Sequence, residues 1–503
     1  MRRALVLVAL AGAFAVPGAE AQQAGFPLGV AAGEVTSTSA ILWTRGPRAG
    51  PVTLRVSTPG RAFPTRVYGG LVADRANDLT VQLAVRRLRP GTRYVYSFVQ
   101  GSTRSPEGAF TTAPAAGANA NVRFAFSGDA DATPAANGRP AYPFGVYARM
   151  AAERNDFNVN LGDTIYSDSG VGGAPFARTV PQKWAKYRLA LGQPALRALR
   201  ASAGLYSHWD DHEFVNDFSR PEHGDALYRA GVKAFRDYSP VAYSSRLGLY
   251  RSVRWGRHLE LFFLDERSFR SAKATEACGG DLAPTAPQAV RDAFATLAPP
   301  LANPVPPACT SSIASPGRTM LGVRQYAAFT RAIRASTATW KVVVNEVPIQ
   351  QYYALPYDRW EGYAAERDRL LRFLQRNVRN VFFLTTDTHA NLVNEVRFRT
   401  LGGEPESSGI WEVVTGPVAT NTFAKEIDEF LATPGAGTAI GALFFKPPPP
   451  QGMGMRCAAL DVYSYAQVTV AARTLTVTLR DARGRPVREA TGTPCAPLVL
   501  AAR

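Results

Sequence analysis

Long hydrophobic runs are missing from most of this chain of 503 residues. After residue 21, no stretch approaches the roughly 18 consecutive apolar residues that a membrane-spanning helix needs, so no transmembrane anchor is predicted. Basic runs interleaved with aromatic residues are missing as well, which gives no indication of specific nucleic-acid recognition. With 46% hydrophobic and 19% charged residues, the chain has the composition of a globular protein, and its length predicts more than one domain.

Cysteine is scarce. The chain has four cysteines, and none lies in a metal-ligand motif. Cys278 and Cys309 flank a Pro/Ala-rich segment, while Cys457 and Cys495 flank the last predicted strands. We expect two disulfides, formed in an oxidising compartment. Pairing in sequence order is the simplest of the three possible connectivities, and the sequence leaves all three open.

The first residues have the pattern of a cleavable secretory signal. Arg2 and Arg3 precede a short apolar run, residues 4–16, and an Ala19-x-Ala21 site follows. This run is too short to span a bilayer. We therefore predict a signal peptide over residues 1–21, cleavage after Ala21, and a mature protein that is secreted or periplasmic.

The formal net charge is +17. An excess of Lys and Arg would speed the encounter with an anionic substrate through long-range attraction. A solvated basic surface, typical of an arginine-rich proteome, explains the same number equally well. Both interpretations stay open.

Two regions of the chain differ in pattern. Residues 26–113 hold short segments of alternating apolar and polar residues between turns, which predicts an N-terminal β-sandwich of immunoglobulin or fibronectin type. From Val122 onward, strands alternate with helical stretches, which predicts an α/β layered architecture. We place the domains at residues 22–115 and 122–503.

The strands and helices predicted after residue 121 show which polar motifs directly follow a strand. The predicted strands are residues 122–126, 157–161, 259–264, 340–344 and 381–384. The predicted helices are residues 144–154, 183–191, 325–336 and 363–376. Segments 279–318 and 431–456 are rich in Pro and Gly and are predicted as long loops, and segment 466–479 is predicted as a closing β-hairpin.

Acidic and histidine residues cluster in four short segments, most of them directly after a predicted strand. They are Asp129 and Asp131; Asp163 with Tyr166; Asp211 with His212 and Asn216; and Asp387 with His389. In open α/β sheets, ligands gather beyond the carboxyl ends of the strands. Hard cations prefer oxygen and imidazole ligands held by rigid elements. The pattern therefore predicts a two-metal hydrolytic site, with Asp163 as the candidate bridging carboxylate.

Each segment taken alone has a simpler interpretation. Asp163 could be an ordinary turn residue, Asp131 a turn or helix-capping acid before Pro134, and His212 or His389 a histidine satisfied in the core. The four segments together favour the metal site over these alternatives.

Arg267 and Arg270 lie just beyond the predicted strand at 259–264. A guanidinium at this position could bind phosphate through two N–H groups, and Arg267 is the candidate catalytic arginine. An ion pair with Asp265 or Glu266 is the alternative.

The order of the motifs resembles the alkaline phosphatase D (PhoD-like) family, in the calcineurin-like and purple acid phosphatase-like metallophosphatase superfamily. The motifs that carry this resemblance are Gly162-Asp-Thr-Ile-Tyr166, Trp209-Asp-Asp-His-Glu213, Leu264-Asp-Glu-Arg-Ser-Phe-Arg270, Arg318-Thr-Met-Leu-Gly-Val-Arg-Gln325, Arg359-Trp-Glu-Gly-Tyr363 and Thr386-Asp-Thr-His389. The resemblance implies a β-sandwich core flanked by helices behind an N-terminal β-sandwich. It also implies an exported phosphomonoesterase or phosphodiesterase that works through a metal-activated hydroxide.

The resemblance also implies roles for single residues. Asp163, Asp211, Asn216, Asp387 and His389 would be site residues. As in purple acid phosphatases, the phenolate of Tyr166 would bind a ferric ion. His212 would be the general acid that protonates the leaving alkoxide, or a hydrogen-bond donor to phosphate.

The first motif departs from the family pattern. Many members have a Ser-Cys pair whose cysteine binds iron, whereas this chain has Ser127-Gly128-Asp129. A carboxylate in place of a thiolate makes the site harder. This favours Ca²⁺, also suits Mn²⁺ or Zn²⁺, and weakens the family's implication of Fe³⁺.

Two other functions compete with a phosphatase acting on small phosphate esters. A phospholipase D-like phosphodiesterase would act on lipid or polymer substrates. A calcium-binding extracellular interaction protein would use the same acidic motifs for structural ions. His212 beside Asp211 argues against that last alternative, because a structural calcium site needs no imidazole.

Overall fold

The computed structural model describes residues 25–61, 66–295, 299–353, 355–398, 406–445 and 454–503. The predicted signal peptide lies outside these residues. In the described part of the chain, no helix is long and apolar enough to cross a membrane.

The N-terminal region is a β-sandwich, as predicted. Its strands are β1 Val30–Gly33, β2 Ser39–Arg45, β3 Gly50–Ser57, β4 Arg66–Ala73, β5 Thr80–Arg86, β6 Arg93–Gln100, β7 Thr103–Arg104 and β8 Gly108–Thr111. Five of these coincide with the strands predicted there. Strands β1, β4 and β7 were missed, because the glycines in β4 and the shortness of β1 and β7 hide the alternation that marks the other strands.

The rest of the chain alternates strands and helices. Its strands are β9 Val122–Ser127, β10 Phe157–Leu161, β11 Gly204–His208, β12 Arg251–Trp255, β13 Leu259–Phe263, β14 Trp340–Asn345, β15 Val381–Thr385, β16 Asn391–Phe398, β17 Glu406–Val414, β18 Met455–Ala459, β19 Ser464–Val470, β20 Thr474–Asp481 and β21 Leu498–Ala501. Its helices are α1 Gly145–Ala152, α2 Val180–Gly192, α3 Pro194–Ser202, α4 Arg220–Tyr238, α5 Gln288–Phe294, α6 Pro307–Ile313, α7 Gly322–Ala335, α8 Ala364–Asn377, α9 Phe423–Phe430 and α10 Ala436–Phe445.

Three sheets organise these strands. The first has nine strands in the order β21-β20-β19-β9-β10-β11-β1-β2-β5, the second has seven in the order β12-β13-β14-β15-β17-β16-β18, and the third has the order β4-β3-β6-β7 with β8 beside β6. The predicted hairpin at 466–479 is confirmed as β19 and β20, and it pairs with β9.

The nine-stranded and seven-stranded sheets face each other across one core. Phe124 and Phe126 of β9 point into this core with Leu261 and Phe263 of β13. Ala125, between the two phenylalanines, points the other way, against the helices. Strands buried on both faces in this way are typical of α/β proteins, where helices cover the outer sides of the sheets.

The helices form the two outer layers. Val146 of α1, Leu191 of α2 and Phe235 of α4 pack on the nine-stranded sheet. Phe329 of α7 and Leu370 of α8 pack on the seven-stranded sheet. The α/β architecture predicted from the sequence, a β-sandwich core between helical layers, is therefore confirmed.

The N-terminal sandwich shares a sheet with the α/β region. Strand β1 pairs with β11 in parallel, with Ala32 opposite Gly204. The β1-β2-β5 half of the sandwich thereby continues the nine-stranded sheet. The sheet therefore runs across the boundary predicted between residues 115 and 122.

The two predicted long loops contain helices. Segment 279–318 includes α5 and α6, and the described part of segment 431–456 includes α10. The prediction of loops was wrong because it relied on the frequent Pro and Gly residues and gave too little weight to short apolar stretches between them. Buried Ile313 on α6 and Phe445 on α10 supply the packing that forms these helices.

The disulfides follow the simplest connectivity. Cys278 bonds to Cys309 and Cys457 bonds to Cys495, and no free cysteine remains. The first bond ties α6 to the segment before α5. The second ties β18 to the segment before β21.

Candidate active site

The carboxyl ends of parallel strands bring the predicted residues together. Strands β9, β10 and β11 are parallel in one sheet, and β13, β14 and β15 are parallel in the other. Asp129 follows β9, Asp163 follows β10, Asp211 follows β11 and Asp387 follows β15. Because parallel strands end at the same edge of a sheet, these four carboxylates converge between the two sheets.

Asp163 lies within reach of two groups of potential metal ligands. One ligand atom from each of Asp129, Asp163 and His389 lies within 4.8 Å of the other two. The same holds for Asp163, Asp211 and His212. One carboxylate shared by two such groups is the arrangement expected for a pair of cations with a bridging ligand.

The backbone at the site is unusual. Asp129, Asp163, Asp387 and His389 all have left-handed conformations, with φ of 63°, 48°, 65° and 52°. A left-handed conformation is unfavourable for most residues other than glycine, and where it occurs it is often at a functional site. Gly162, with φ of 80°, lets the turn after β10 pack closely against Asp210. A Cβ at Gly162 would lie 2.4 Å from the Cβ of Asp210.

Glu213 fixes the turns that carry the central carboxylates. Its fully buried carboxylate accepts hydrogen bonds from the backbone N–H groups of Asp163 at 3.1 Å, Thr164 at 2.8 Å and Asp210 at 2.9 Å. No role was predicted for Glu213 from the sequence. Its place in the Trp-Asp-Asp-His-Glu motif could have indicated this role. A buried acid beside a metal-binding turn needs several hydrogen-bond donors, and the backbone of the turn supplies them.

Each candidate histidine is oriented by a carboxylate. His212 Nδ1 lies 2.6 Å from Asp168 Oδ1, and His389 Nδ1 lies 2.6 Å from Glu426 Oε1. In both pairs Nδ1 donates, so Nε2 is left for the site. The hydroxyl of Tyr166 lies 3.0 Å from Nε2 of His389.

Tyr166 also fixes the second histidine. Its ring stacks on His212 with centroids 4.0 Å apart. No role was predicted for Asp168, which lies two residues after Tyr166 in the sequence. Glu426 lies on α9, far from any motif, and no local signal in the sequence pointed to it.

Burial and mutual repulsion perturb the carboxylates. Burial raises the pKa of Asp129 to about 7. Burial, followed by repulsion from Asp211 and Asp210, raises the pKa of Asp163 well above its usual value. The pKa of Asp387 is raised in the same way, by burial and then by Asp210. Too few positive charges surround these acids, so they favour a bound cation.

The pKa values of the two histidines are also raised, which for an imidazole favours the charged form. Although burial opposes protonation, the carboxylates of Asp211 and Asp168 raise the pKa of His212 to about 10. Burial also opposes protonation of His389, and Glu426 raises its pKa to about 9. Both imidazoles therefore carry a proton on each nitrogen at neutral pH when no cation competes for Nε2.

Arg267 lies among carboxylates. Its fully buried guanidinium donates to Asp210 at 2.5 Å, to Asp358 at 2.7 and 2.8 Å, and to Asp387 at 3.2 Å. Ligand atoms of Asp210, Asp211 and Asp387 lie within 4.8 Å of one another beside it. The expected ion pair with Asp265 or Glu266 was wrong in its partners, because the guanidinium pairs with acids from three other loops. A contact with phosphate remains a prediction.

Two predicted ligands lie apart from these groups. Asp131 accepts hydrogen bonds from the backbone N–H of Thr133 at 2.8 Å and from Ser169 Oγ at 2.6 Å. It belongs to none of the His, Asp and Glu groups that the described residues form. Asn216 is exposed, and its backbone N–H donates to Asp168 Oδ2 at 2.8 Å. Their roles as ligands remain predictions.

The residues at the site fit a metal ion. Asp129 Oδ2 is buried and has no hydrogen-bond partner in the described part of the chain. A Cβ at Gly416 would lie 2.5 Å from that oxygen, so the residue facing it must be glycine. Carboxylates and imidazoles are the donors that Ca²⁺, Mn²⁺, Zn²⁺ and iron accept in differing proportions.

Comparison of the sequence with known proteins gives a consistent result. The PhoD-like phosphatase family matches residues 133–441, more than half of the chain, and the N-terminal domain of PhoD-like phosphatases matches residues 11–114. Alkaline phosphatase D of Bacillus subtilis (strain 168) is 27% identical over 418 residues. That alignment covers 73% of this chain and 64% of the relative, so the chain spans just under two thirds of the relative's length.

Comparison of the fold agrees. A solved structure of PhoD superposes with a TM-score of 0.72 at 22% identity, covering 97% of this chain and 90% of that one. The purple acid phosphatase PPD1 from yellow lupin (Lupinus luteus) seeds superposes with a TM-score of 0.58 at 12% identity, covering 94% of this chain and 73% of that one. From the family match and the shared fold, we conclude that this chain belongs to the PhoD-like phosphatase family.

Proposed function

We propose that the protein is an exported, metal-dependent phosphoesterase that hydrolyses phosphate monoesters, diesters or both. The observation that carries this proposal is the position of Asp163, whose carboxylate lies within 4.8 Å of ligand atoms of two groups at once. Membership of the family supports the class of reaction.

The proposed cations would be held by these two groups. Asp129, Asp163 and His389 would hold one, with the Tyr166 hydroxyl next to His389. Asp163 and Asp211 would contribute to the other. When bound, a pair of cations would neutralise the phosphate oxygens and lower the pKa of a bound water.

We propose that His212 supplies a proton to the leaving group. An alkoxide is a poor leaving group unless it is protonated as the P–O bond breaks. The hydrogen bond to Asp168 fixes Nδ1, the stack on Tyr166 fixes the plane of the ring, and the raised pKa of about 10 keeps the proton on Nε2. These contacts orient the imidazole and leave its Nε2–H free to donate the proton.

Arg267 has a different proposed part. Its three N–H directions are taken by Asp210, Asp358 and Asp387. The guanidinium therefore offsets part of the negative charge of the site and fixes the loops after β11 and β15. A direct contact with the substrate phosphate would require one of these ion pairs to open.

Oxygen-rich ligands bear on the identity of the cation. With Asp129 in the place of a thiolate, the group around His389 suits Ca²⁺, Mn²⁺ or Zn²⁺. Fe³⁺ would need the phenolate of Tyr166, whose pKa burial and Asp163 raise well above its usual value.

The domain and export predictions complete the proposal. The N-terminal sandwich at 22–115 would precede a catalytic domain at 122–503, after removal of residues 1–21. The two disulfides support an oxidising, extracytoplasmic location.

The test is hydrolysis of p-nitrophenyl phosphate and bis-p-nitrophenyl phosphate by the purified protein, with metal content measured on the same sample. We expect turnover that a chelator abolishes and that D163A and H389A both lose. The ratio of the two rates gives the preference for monoester or diester. Bound metal without turnover of either ester would contradict the proposal for small esters and favour a lipid or polymer substrate, or structural calcium.

A further inference from the structure

A cavity of about 620 Å³ lies at the opposite edge of the seven-stranded sheet from the candidate active site. It is lined by residues at the amino ends of β14, β15 and β17 and by the edge strand β21. Asp387 and His389 follow the carboxyl end of the same strand β15. At about 3.3 Å per residue, the five-residue strand separates the two places by roughly 15–20 Å.

The inner wall of this cavity is apolar. Trp340, Val381 and Ile410 are buried there, and Trp411 is partly exposed. A volume in this range, with apolar walls and a few charged groups, is typical of sites for small molecules.

The rim is basic, and no acidic side chain lines it. Arg379, Arg456 and Arg503 line the cavity, and its lining includes no Asp or Glu. Among the described residues, none of the three guanidinium groups forms an ion pair with a carboxylate. By contrast, the guanidinium of Arg267 at the other edge contacts four carboxylates.

One of these arginines is already oriented. The guanidinium of Arg456 lies over the ring of Trp411, 4.0 Å from its centroid. Stacking fixes the plane of the guanidinium and leaves its N–H edge free for an anion.

The neutral polar groups of the lining are used within the protein. Asn380 donates to the carbonyl of Thr339 at 3.0 Å and accepts from the backbone N–H of Arg503 at 2.8 Å. Ser408 Oγ donates to the carbonyl of Val396 at 2.6 Å. What the cavity has left to offer a ligand is apolar surface, a tryptophan ring and unpaired positive charge.

We propose that this cavity binds a small organic anion with a flat aromatic or apolar body, held by Arg379 and Arg456. The body would lie against Trp411 and Ile410, and the carboxylate, sulfonate or phosphate group would meet the guanidiniums. This site is separate from the proposed catalytic residues and does not depend on them.

Calorimetric titration of the full-length protein tests the proposal with three probes. Naphthalene-2-sulfonate carries both the aromatic body and the charge, 2-naphthol has the body alone, and sulfate has the charge alone. We expect naphthalene-2-sulfonate to bind at least tenfold more tightly than either partial probe. Equal affinity for 2-naphthol and the sulfonate, or no binding of the sulfonate at millimolar concentration, would overturn the proposal.

A matched pair of variants separates this site from the general positive charge of the protein. We expect R379A/R456A to weaken binding of the sulfonate at least tenfold. R331A/R334A removes the same charge from exposed positions on α7 and should change the affinity less than twofold. Equal losses in the two variants would show attraction by net charge alone and refute a built site.

A further variant, R503A, tests the site with a change that should not disturb the fold. R503A removes only a side chain, since the hydrogen bond to Asn380 is made by the backbone N–H. We expect an affinity several-fold weaker, with an unchanged unfolding midpoint and unchanged hydrolysis of p-nitrophenyl phosphate. An affinity equal to that of the unmodified protein in both R503A and a folded R379A/R456A would contradict the assignment.

Discussion

The two edges of the seven-stranded sheet carry opposite charges. The carboxyl edge holds Asp387 among several buried acids, whose pKa values burial and repulsion raise. The amino edge holds a cavity lined by three arginines and no acid. A net charge of +17 thus describes neither edge, because the charges are sorted by position along the strands.

The edges also differ in how their charged side chains are held. At the carboxyl edge, Asp387 and His389 have left-handed conformations and their side chains are fixed by acids from other elements. At the amino edge, Asn380 and Gly409 also have left-handed conformations, with φ of 55° and 70°, but the arginines are exposed. Buried charge therefore marks the edge where we propose the chemistry, and exposed charge marks the edge where we propose reversible binding.

The largest effect should come from the two ends of β10. Asp163 follows this strand, whereas Asp156 precedes it and accepts a hydrogen bond from the backbone N–H of Arg123 at 2.8 Å. We expect D163N to reduce turnover of p-nitrophenyl phosphate by about 10³-fold, since loss of a shared ligand costs several kcal/mol of transition-state stabilisation. D156N is the matched control and should retain nearly full activity. Similar rates in the two variants would remove the functional distinction between the carboxyl and amino ends of the parallel strands.

The next effect concerns Asp168, which orients His212. Losing the carboxylate charge removes one of the causes that raise the pKa of His212 to about 10. Because the proton donor is lost as pH rises through this pKa, the alkaline limb of the pH–rate profile should move to lower pH in D168N, with kcat reduced by about 10²-fold.

The control for Asp168 is its neighbour Ser169, whose hydroxyl donates to Asp131. We expect S169A to leave the alkaline limb in place. An unchanged limb in D168N would refute the role of His212 as proton donor, whatever happens to kcat.

A smaller effect should follow from Glu426, which orients His389 from helix α9. Removal of an acid that supports a ligating histidine typically costs about 10–100-fold in metal affinity. We expect E426A to show this loss in a metal titration, and E426Q to show less, because its amide oxygen still accepts from Nδ1. Glu429, on the same helix and bonded to Asn421 at 2.9 Å, provides the control E429A. Unaltered metal affinity in E426A would contradict the proposal that His389 binds the cation.

The smallest effect is on the stability of metal-free protein. Asp129 has a pKa of about 7 in the folded chain against the usual 3.8. Between these values the folded state binds more protons than the unfolded state, so the free energy of unfolding falls as pH rises. We expect the unfolding midpoint of chelated protein to drop by a few degrees from pH 5 to pH 8, and added metal to reverse most of the drop at pH 8. A chelated protein that is more stable at pH 8 would contradict the prediction.

Much of the fold was predictable because it depends on local patterns. The strands before Asp129, Asp163 and Asp387 are short apolar runs that end in a polar turn, and each lies within one or two residues of its predicted place. Strand β11 was missed because its five residues, Gly-Leu-Tyr-Ser-His, look like a loop in isolation. It forms a strand because β10 pairs with it on one side and β1 on the other.

The candidate site was predictable to the extent that its residues sit in motifs. Asp163, Asp211, Asp387, His212 and His389 come together because the parallel strands end at one edge. Partners supplied by distant segments had no such signal. Glu426 reaches His389 only through α9, a helix held by the packing of Ala424 against Leu460 and Phe445, and no spacing in the sequence encodes that contact.

The junction between β1 and β11 has a consequence for how the protein can be dissected. Because β1, β2 and β5 continue the nine-stranded sheet beyond β11, removal of the N-terminal sandwich would leave β11 as a bare edge strand. Its backbone N–H and C=O groups, next to the apolar side chains of Leu205 and Tyr206, would then be open to pairing with other chains. We therefore expect the N-terminal sandwich to protect this edge from aggregation, and residues 122–503 alone to be insoluble even with every residue of the candidate active site intact.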